Sequence, residues 1–364
     1  MNERKKIAIN TGGGDAPGLN AVIYAVTMAA ERRGWEVYGI HTGYAGLLDT
    51  DEITRLTPEK VAGIVSLGGT ILGTTNKGDP FHMPVKNAVG DVEFRDVSAK
   101  ILTNFKRLGL DVLIAVGGDG SLRLADRFAQ MGMPVIGVPK TIDNDLASTM
   151  ITFGFDTAVT TSTEAIDKLH STASAHERVM VVELMGRCAG WIALNSGISG
   201  SADVILIPEI PFKIDSVCSK IMENELHGKR YGIVVVAEGA TTEGGEVIHK
   251  GREEGRQEVV LGGMGEWVGR EISKRTGKDT RTLVLGHLQR GGSPTTFDRL
   301  LALRFGAAAV RFIAEGKRNV MVANHPPNMV PVPIQEAVER MKSVPTDSDS
   351  ILTARDMGIS FGDE

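Results

Sequence analysis

Several things the chain lacks narrow what it can do. Its 40 Lys+Arg stand against 45 Asp+Glu, a formal net charge of −5, so no overall positive field draws it to nucleic acid or to an anionic membrane. An anionic substrate must then be gripped by local cationic clusters. There are only two cysteines, Cys188 and Cys218, far apart and without CxxC or His-rich spacing. That excludes a disulfide framework and a metal cluster, and leaves both expected as buried apolar filler. No apolar run approaches the ~18 residues of a membrane span, and polar Met1 to Lys6 leads straight into a strand-like segment, so the expected location is cytoplasmic. There is no low-complexity tract, no repeat and no long Pro/Ser linker to mark a domain boundary. Two nucleotide signatures are also missing. No GxxxxGK[ST] occurs, and the first glycine-rich turn fails GxGxxG because Pro17 stands where the third glycine belongs.

What is there is a regular alternation. Short β-branched runs at Ile7–Ile9, Val37–Ile40, Val112–Val116, Val135–Val138, Val179–Val182, Val204–Ile207, Ile233–Val236 and Thr282–Leu285 read as buried strands. Helical patterns lie between them, at Leu19–Arg32, Ser98–Arg107, Ser121–Met131, Thr160–His170 and Phe297–Ile313. The pattern predicts an α/β fold with parallel sheets flanked by helices and ligands beyond the carboxyl ends of the strands. A chain of 364 residues exceeds one compact core, so two domains are expected. The polar stretches Asn76–Asp96 and Thr241–Gln257 read as surface excursions, and the polar tail Pro345–Glu364 as partly mobile.

Three glycine- or aspartate-rich turns fall at strand ends. In Thr11-Gly12-Gly13-Gly14-Asp15-Ala16-Pro17-Gly18 the backbone can approach a ligand and aim N–H groups at a phosphate, with Pro17 setting the first turn of the following helix. A tight turn without a ligand is the alternative. Gly117-Gly118-Asp119-Gly120-Ser121 puts a lone carboxylate, Asp119, where Mg²⁺ could share it with polyphosphate oxygens and water; otherwise Asp119 and Ser121 cap a helix. Pro139-Lys140-Thr141-Ile142-Asp143-Asn144-Asp145 supplies the carboxylate an alcohol needs to lose its proton during attack, with Asp143 or Asp145 meeting the alcohol and the other orienting it or sensing the metal. An Asx-rich turn is the plain alternative.

The remaining candidates are mostly cations suited to phosphate. Arg178 opens one strand that ends in Met185-Gly186-Arg187, and Arg281 opens another that ends in Gly286-His287-Leu288-Gln289-Arg290. Arg178 and Arg281 read equally well as solvated charges, whereas Arg187 and Arg290 are better placed for a ligand. His287 fits a phosphate or hydroxyl donor, and Glu238 either accepts from sugar hydroxyls or caps a loop.

Taken in order, GGGDAPGLN, GGDGS, PKTIDND, ELMGR and LGHLQRGGSP resemble the phosphofructokinase family over residues 5 to 310. The resemblance implies two similar Rossmann-like α/β domains with mostly parallel sheets and the active site in the cleft between them. It implies residues 1–150 binding the phosphoryl donor, 151–320 the sugar phosphate, and 321–364 returning to the donor domain. Asp143 would be the general base toward the 1-hydroxyl of fructose 6-phosphate, with Thr141 and Arg187 near the transferring group. Asp119 would bind Mg²⁺, and Gly14, Asn76, Lys77, Gly118, Gly120, Ser121 and Lys140 would face the donor. Asp145, Met185, Gly186, Glu238, His287 and Arg290 would complete the sugar-phosphate site, with Arg178 and Arg281 reaching it from a neighbouring subunit. A homodimer or homotetramer with shared active sites is therefore implied.

The sequence departs from the ATP-dependent bacterial pattern in three places. Lys140 replaces a glycine, as in family members that use pyrophosphate, but Gly120 stands where those members carry aspartate. Glycine leaves room for the α-phosphate region of a nucleotide, so ATP is the expected donor and pyrophosphate the rival. Asn76 replaces an arginine that bridges the substrates, with Lys77 as a substitute. Tyr24, Met28 and His170 replace effector-binding arginines, so the usual nucleotide or phosphoenolpyruvate site is not expected. A non-catalytic sugar-phosphate-binding regulatory subunit has no need of both Asp143 and Asp119. A lipid or NAD kinase shares only GGDG.

Overall fold

The structure, a computed structural model, describes residues 4–75, 79–86, 91–245, 249–252 and 259–364. The first part of the chain runs β1 (Lys6–Thr11), α1 (Leu19–Glu31), β2 (Glu36–Ile40), β3 (Ile53–Leu56), β4 (Met83–Lys86), β5 (Val92–Arg95), α2 (Ser98–Arg107), β6 (Val112–Gly117), α3 (Asp119–Gln130) and β7 (Val135–Pro139). Then come α4 (Phe155–His176), β8 (Val179–Leu184), α5 (Trp191–Ser199), β9 (Val204–Leu206), α6 (Ile214–Leu226), β10 (Gly232–Ala237), β11 (His249–Arg252), β12 (Val259–Leu261), α7 (Met264–Thr276) and β13 (Thr280–Val284). The last elements are α8 (Thr296–Ala314), β14 (Val320–His325), β15 (Asn328–Pro333), α9 (Ile334–Glu339) and α10 (Asp349–Asp356).

Two sheets organise the molecule. The first has the order β15-β14-β7-β6-β1-β2-β3, parallel except for its outer strands β15 and β3. The second has the order β13-β8-β10-β9 and is parallel throughout. β6, β8 and β10 are buried at every residue, because helices cover both faces of each sheet; this is why they appear in the sequence as unbroken apolar runs rather than alternating ones. The expected α/β architecture with mostly parallel sheets is the one observed, and the expected strands all form.

The packing divides the chain differently from the expected boundaries. α8, expected with the second domain, lies against α1, where Leu301, Phe305 and Phe312 join a core with Val22 and Val26. β14 and β15 extend the first sheet beside β7, and α9 packs beside α3. Residues beyond 344 instead join the second core, which buries Val344, Ile351, Ile359 and Phe361 beneath α5 and β9. The tail expected to be mobile is therefore a docked helix and strand-like end. Pro17 does not set a first helical turn: α1 starts at Leu19, with Gly18 (φ 109°) as its cap. Cys218 is buried as expected, but Cys188 is exposed, at the end of the turn after β8. Asn76 and Lys77 lie outside the described residues. Among the described residues no helix is long and apolar enough to cross a membrane.

Candidate active site

The site lies where the carboxyl ends of β1, β6 and β7 face those of β8 and β10. At the end of β1, Gly12 N–H donates to Val116 O (2.9 Å), Gly13 N–H to Thr75 O (3.0 Å), and the Thr74 hydroxyl to Gly13 O (2.6 Å). The turn is thus pinned on two sides. A Cβ at Gly12 would stand 2.6 Å from Ser121 Oγ, and one at Gly14 would stand 2.8 Å from Arg290 Nη1. A side chain at either position would displace Ser121 or the Arg290 guanidinium from the place it now fills. Lys140 Nζ donates to Gly14 O, and Arg290 Nη1 donates to Asp15 O (3.0 Å). Arg290 belongs to the 3₁₀ turn after β13, so this contact crosses the cleft and joins the two sheets' loops at the donor turn.

At the end of β6, Gly118 caps α3 with no side-chain cap bond, so neither Asp119 nor Ser121 caps the helix. Asp119 begins α3 with its side chain half exposed (51%) and Arg123 at 3.8 Å. Gly120 is exposed, and a Cβ there would meet nothing within 4 Å.

The loop after β7 brings the charged groups together. Lys140 is buried, and that burial, with Arg290 nearby, lowers its ammonium to about 8. Asp143 N–H donates to Thr141 Oγ1 (3.1 Å), and the Thr152 hydroxyl donates to Thr141 O (2.7 Å). Asp145 is pushed up to about 7, first by burial and then by the carboxylates of Asp143 and Asp119. Three carboxylates and Lys140 therefore share one electrostatic neighbourhood.

The opposite wall is formed by the second sheet. Gly186 (φ 139°) follows β8 and would place a Cβ 2.9 Å from Ala189 O. Glu238 follows β10, its N–H donating to Leu184 O (2.8 Å). Burial, followed by nearby Glu183, raises its carboxyl, while Arg290 and Arg187 oppose the shift. Buried Gln289 knits this wall: Met185 N–H and the Ser162 hydroxyl donate to its Oε1 (3.3 Å each), and its Nε2 donates to Gly286 O (3.0 Å). His287 is exposed on the same turn.

Of the expected site residues, the fold brings Gly14, Gly118, Asp119, Gly120, Ser121, Lys140, Thr141, Asp143 and Asp145 to one side of the cleft, and Met185, Gly186, Arg187, Glu238 and His287 to the other, with Arg290 reaching from the second side to the first. It does not bring Arg178 and Arg281 there. Both sit at the starting ends of β8 and β13, each 2.5 Å from Asp279. A six-residue strand separates them from Arg187, roughly 20 Å at ~3.3 Å per residue. Tyr24 and Met28 pack against the first core, and His170 Nε2 is hydrogen-bonded to Gly200 O (2.7 Å). The residues that motif reading missed are Gln289 and Glu183, the latter accepting from Gly263 and Gly265 N–H (3.1 and 2.7 Å) at the start of α7. Each lay inside a recognised motif as its one buried polar member.

Among the described residues no set of three or more His, Cys, Asp and Glu converges to hold a metal alone. The carboxylates nonetheless suit a hard divalent cation. Asp119 is accessible at the rim, and repulsion from Asp143 and Asp119, which after burial helps hold Asp145 high, is what such a cation would relieve. Mg²⁺ would draw its other ligands from phosphate and water.

Comparison with known proteins fits this geometry. The chain is 50% identical over 363 residues to a Chloroflexus aurantiacus protein described as ATP-dependent 6-phosphofructokinase, covering 100% of this chain and 99% of that one. It is 47% identical over 344 residues to an Amycolatopsis methanolica protein described as pyrophosphate–fructose 6-phosphate 1-phosphotransferase, covering 94% and 97%. A Pichia pastoris phosphofructokinase solved in the T-state superposes with a TM-score of 0.80 at 34% identity, over 93% of this chain and 36% of that longer one. Residues 6–313 match the family described as phosphofructokinase. The chain belongs to the phosphofructokinase family.

Proposed function

We propose that the chain transfers the γ-phosphoryl group of ATP to the 1-hydroxyl of fructose 6-phosphate, giving fructose 1,6-bisphosphate, with Asp143 as general base. The observation that carries this reading is the convergence of the Asp143 loop with the glycine turn and Lys140, across which Arg290 reaches from the second sheet. As the sugar oxygen bonds to phosphorus, Asp143 takes its proton, and the bond from the γ-phosphorus to the bridging oxygen breaks to release ADP. Lys140, Thr141 and Arg187 stabilise the charge that builds on the moving group. Gly14 and the Gly118–Ser121 turn face the rest of the donor, while Met185, Gly186, Glu238, His287 and Arg290 grip the sugar phosphate. Asp119 would hold Mg²⁺, which would supply positive charge to offset that of the donor phosphates.

Arg178 and Arg281, remote from this chain's own cleft, serve the cleft of a neighbouring subunit, which makes the active enzyme a homo-oligomer. The location follows as cytoplasmic, where charged phosphate esters are retained.

Pyrophosphate is the second reading, favoured by Lys140 and by the Amycolatopsis relative. Open, exposed space at Gly120 favours the nucleotide. A regulatory subunit without catalysis is the least favoured, since Asp119 and Asp143 share one neighbourhood. The test is a donor-by-acceptor assay of the parent and Asp143→Asn. We expect ATP-dependent turnover of fructose 6-phosphate, with kcat falling on the order of 10²- to 10⁴-fold in the variant. Turnover with pyrophosphate alone, or an unimpaired variant, would overturn the reading.

A further inference from the structure

Behind the loop that carries Asp143 and Asp145 runs a strap of chain linking α9, on the first sheet's side, to α10, on the second's. Met341 bridges antiparallel to Leu146, and Lys342 N–H donates to Asp145 O (2.8 Å). Trp191 Nε1 donates to Lys342 O (2.9 Å), and Val344 N–H to Glu209 Oε1 (2.8 Å). The strap is thereby tied to the loop on one side and to the second domain on the other.

The Lys342 side chain runs under the loop, its ammonium 5.7 Å from the Trp191 ring centroid. It donates to Asn144 Oδ1 (2.8 Å), Met150 O (2.9 Å) and Thr149 O (3.2 Å). An ammonium has three donors, so all three are committed to loop acceptors. Burial lowers Lys342 to about 8, and neighbouring Asp145 opposes the shift, so the group stays mainly charged at neutral pH.

Asn144 is the pivot. It stands between the two carboxylates with φ 51°, a left-handed conformation that asparagine adopts more readily than other non-glycine residues because its short polar side chain can hydrogen-bond locally. Its amide oxygen is held from two sides, by Lys342 Nζ and by Thr152 N–H (3.1 Å). Relaxing Asn144 to negative φ would rotate the peptide units that carry Asp143 and Asp145.

We propose that Lys342 is a positioning residue, clamping Asn144 in its left-handed turn and so fixing Asp143 and Asp145 for phosphoryl transfer. Coming from the strap, it ties the catalytic loop to the segment that joins the domains. The inference rests on Asp143 being the base.

The test compares Lys342→Met, which keeps the aliphatic stem, with Asn144→Gly, which tolerates positive φ but lacks the amide oxygen. Each should lower kcat about 10- to 100-fold, as expected for a misplacement near 1 Å, with KM for both substrates shifting less than about threefold. The double variant should be little worse than the more impaired single one, because both act on one turn. A merely structural strap predicts a lower Tm for Lys342→Met with kcat within about twofold of the parent, and that result overturns the proposal. Multiplicative losses in the double variant overturn it also. If Lys342→Met does not fold, Asn144→Gly decides alone, with unchanged kcat refuting the clamp. An inactive Asp143→Asn beside an unimpaired Lys342→Met sinks this inference alone, whereas an active Asp143→Asn sinks the base assignment and this inference with it.

Discussion

Replacing Gly120 with aspartate separates donor recognition from folding. Gly120 lies in the first turn of α3, exposed, with open space where a side chain would point. The protein itself therefore accommodates the substitution. An acidic side chain near a helix N-terminus gains ~0.3–1 kcal/mol from the dipole, and aspartate is ~0.3 kcal/mol better than glycine within a helix, so Tm should hold or rise. The cost falls on the nucleotide. Two unit negative charges ~4 Å apart near a protein surface repel by ~4 kcal/mol, and solvent at this exposed position reduces that to roughly 2 kcal/mol, about 30-fold in kcat/KM for ATP. Pyrophosphate has no α-phosphate or nucleoside to place there, so its binding, read as turnover or as competitive inhibition, should change by less than about threefold. The assay is steady-state kinetics with each donor beside a thermal melt. Equal losses with both donors, or a parallel fall in Tm, would refute the claim that this space belongs to the nucleotide.

Three further outcomes follow from the same geometry. Because burial and neighbouring carboxylates raise Asp145 to about 7, its native form holds a proton that the unfolded chain releases near pH 4, so its contribution to stability falls as pH rises between those values. Asp145→Asn should accordingly raise Tm more at pH 8 than at pH 5; a pH-independent difference would contradict the shift. Phe361→Ala, at a fully buried position in the second core, should destabilise by ~3–5 kcal/mol in urea titrations, whereas a loose tail predicts almost no change. Mixing Asp143→Asn and Arg281→Ala subunits, each inactive or impaired alone, should recover activity in hybrid oligomers if Arg281 completes a neighbour's site; absence of recovery would place Arg281 outside any active site.

Much of the candidate site was legible because its residues lie close together along the chain. Lys140 and Asp143 sit in the loop that follows β7 and Asp119 at the start of α3 just after β6, and parallel sheets put all such strand ends at the same edge. Gln289 and Glu183 escaped notice because their value lies in what they bond, which spacing along the chain does not reveal. Lys342 stood in no motif at all. Its three acceptors belong to a loop far away in sequence, and only the strap's path brings them together.

The sequence by itself determined the α/β alternation and the strands, since a strand buried on both faces must be apolar throughout, and it placed the three turns that the fold gathers at the candidate site. Only the tertiary structure decided which helix serves which sheet, that the tail docks instead of trailing, and that Arg178 and Arg281 face away from the chain's own cleft. Those are matters of which surfaces meet. A helix buried over much of its surface, such as α8, carries apolar side chains that suit either core, and its partner is chosen by the shape and connection of the whole chain rather than by its own residues.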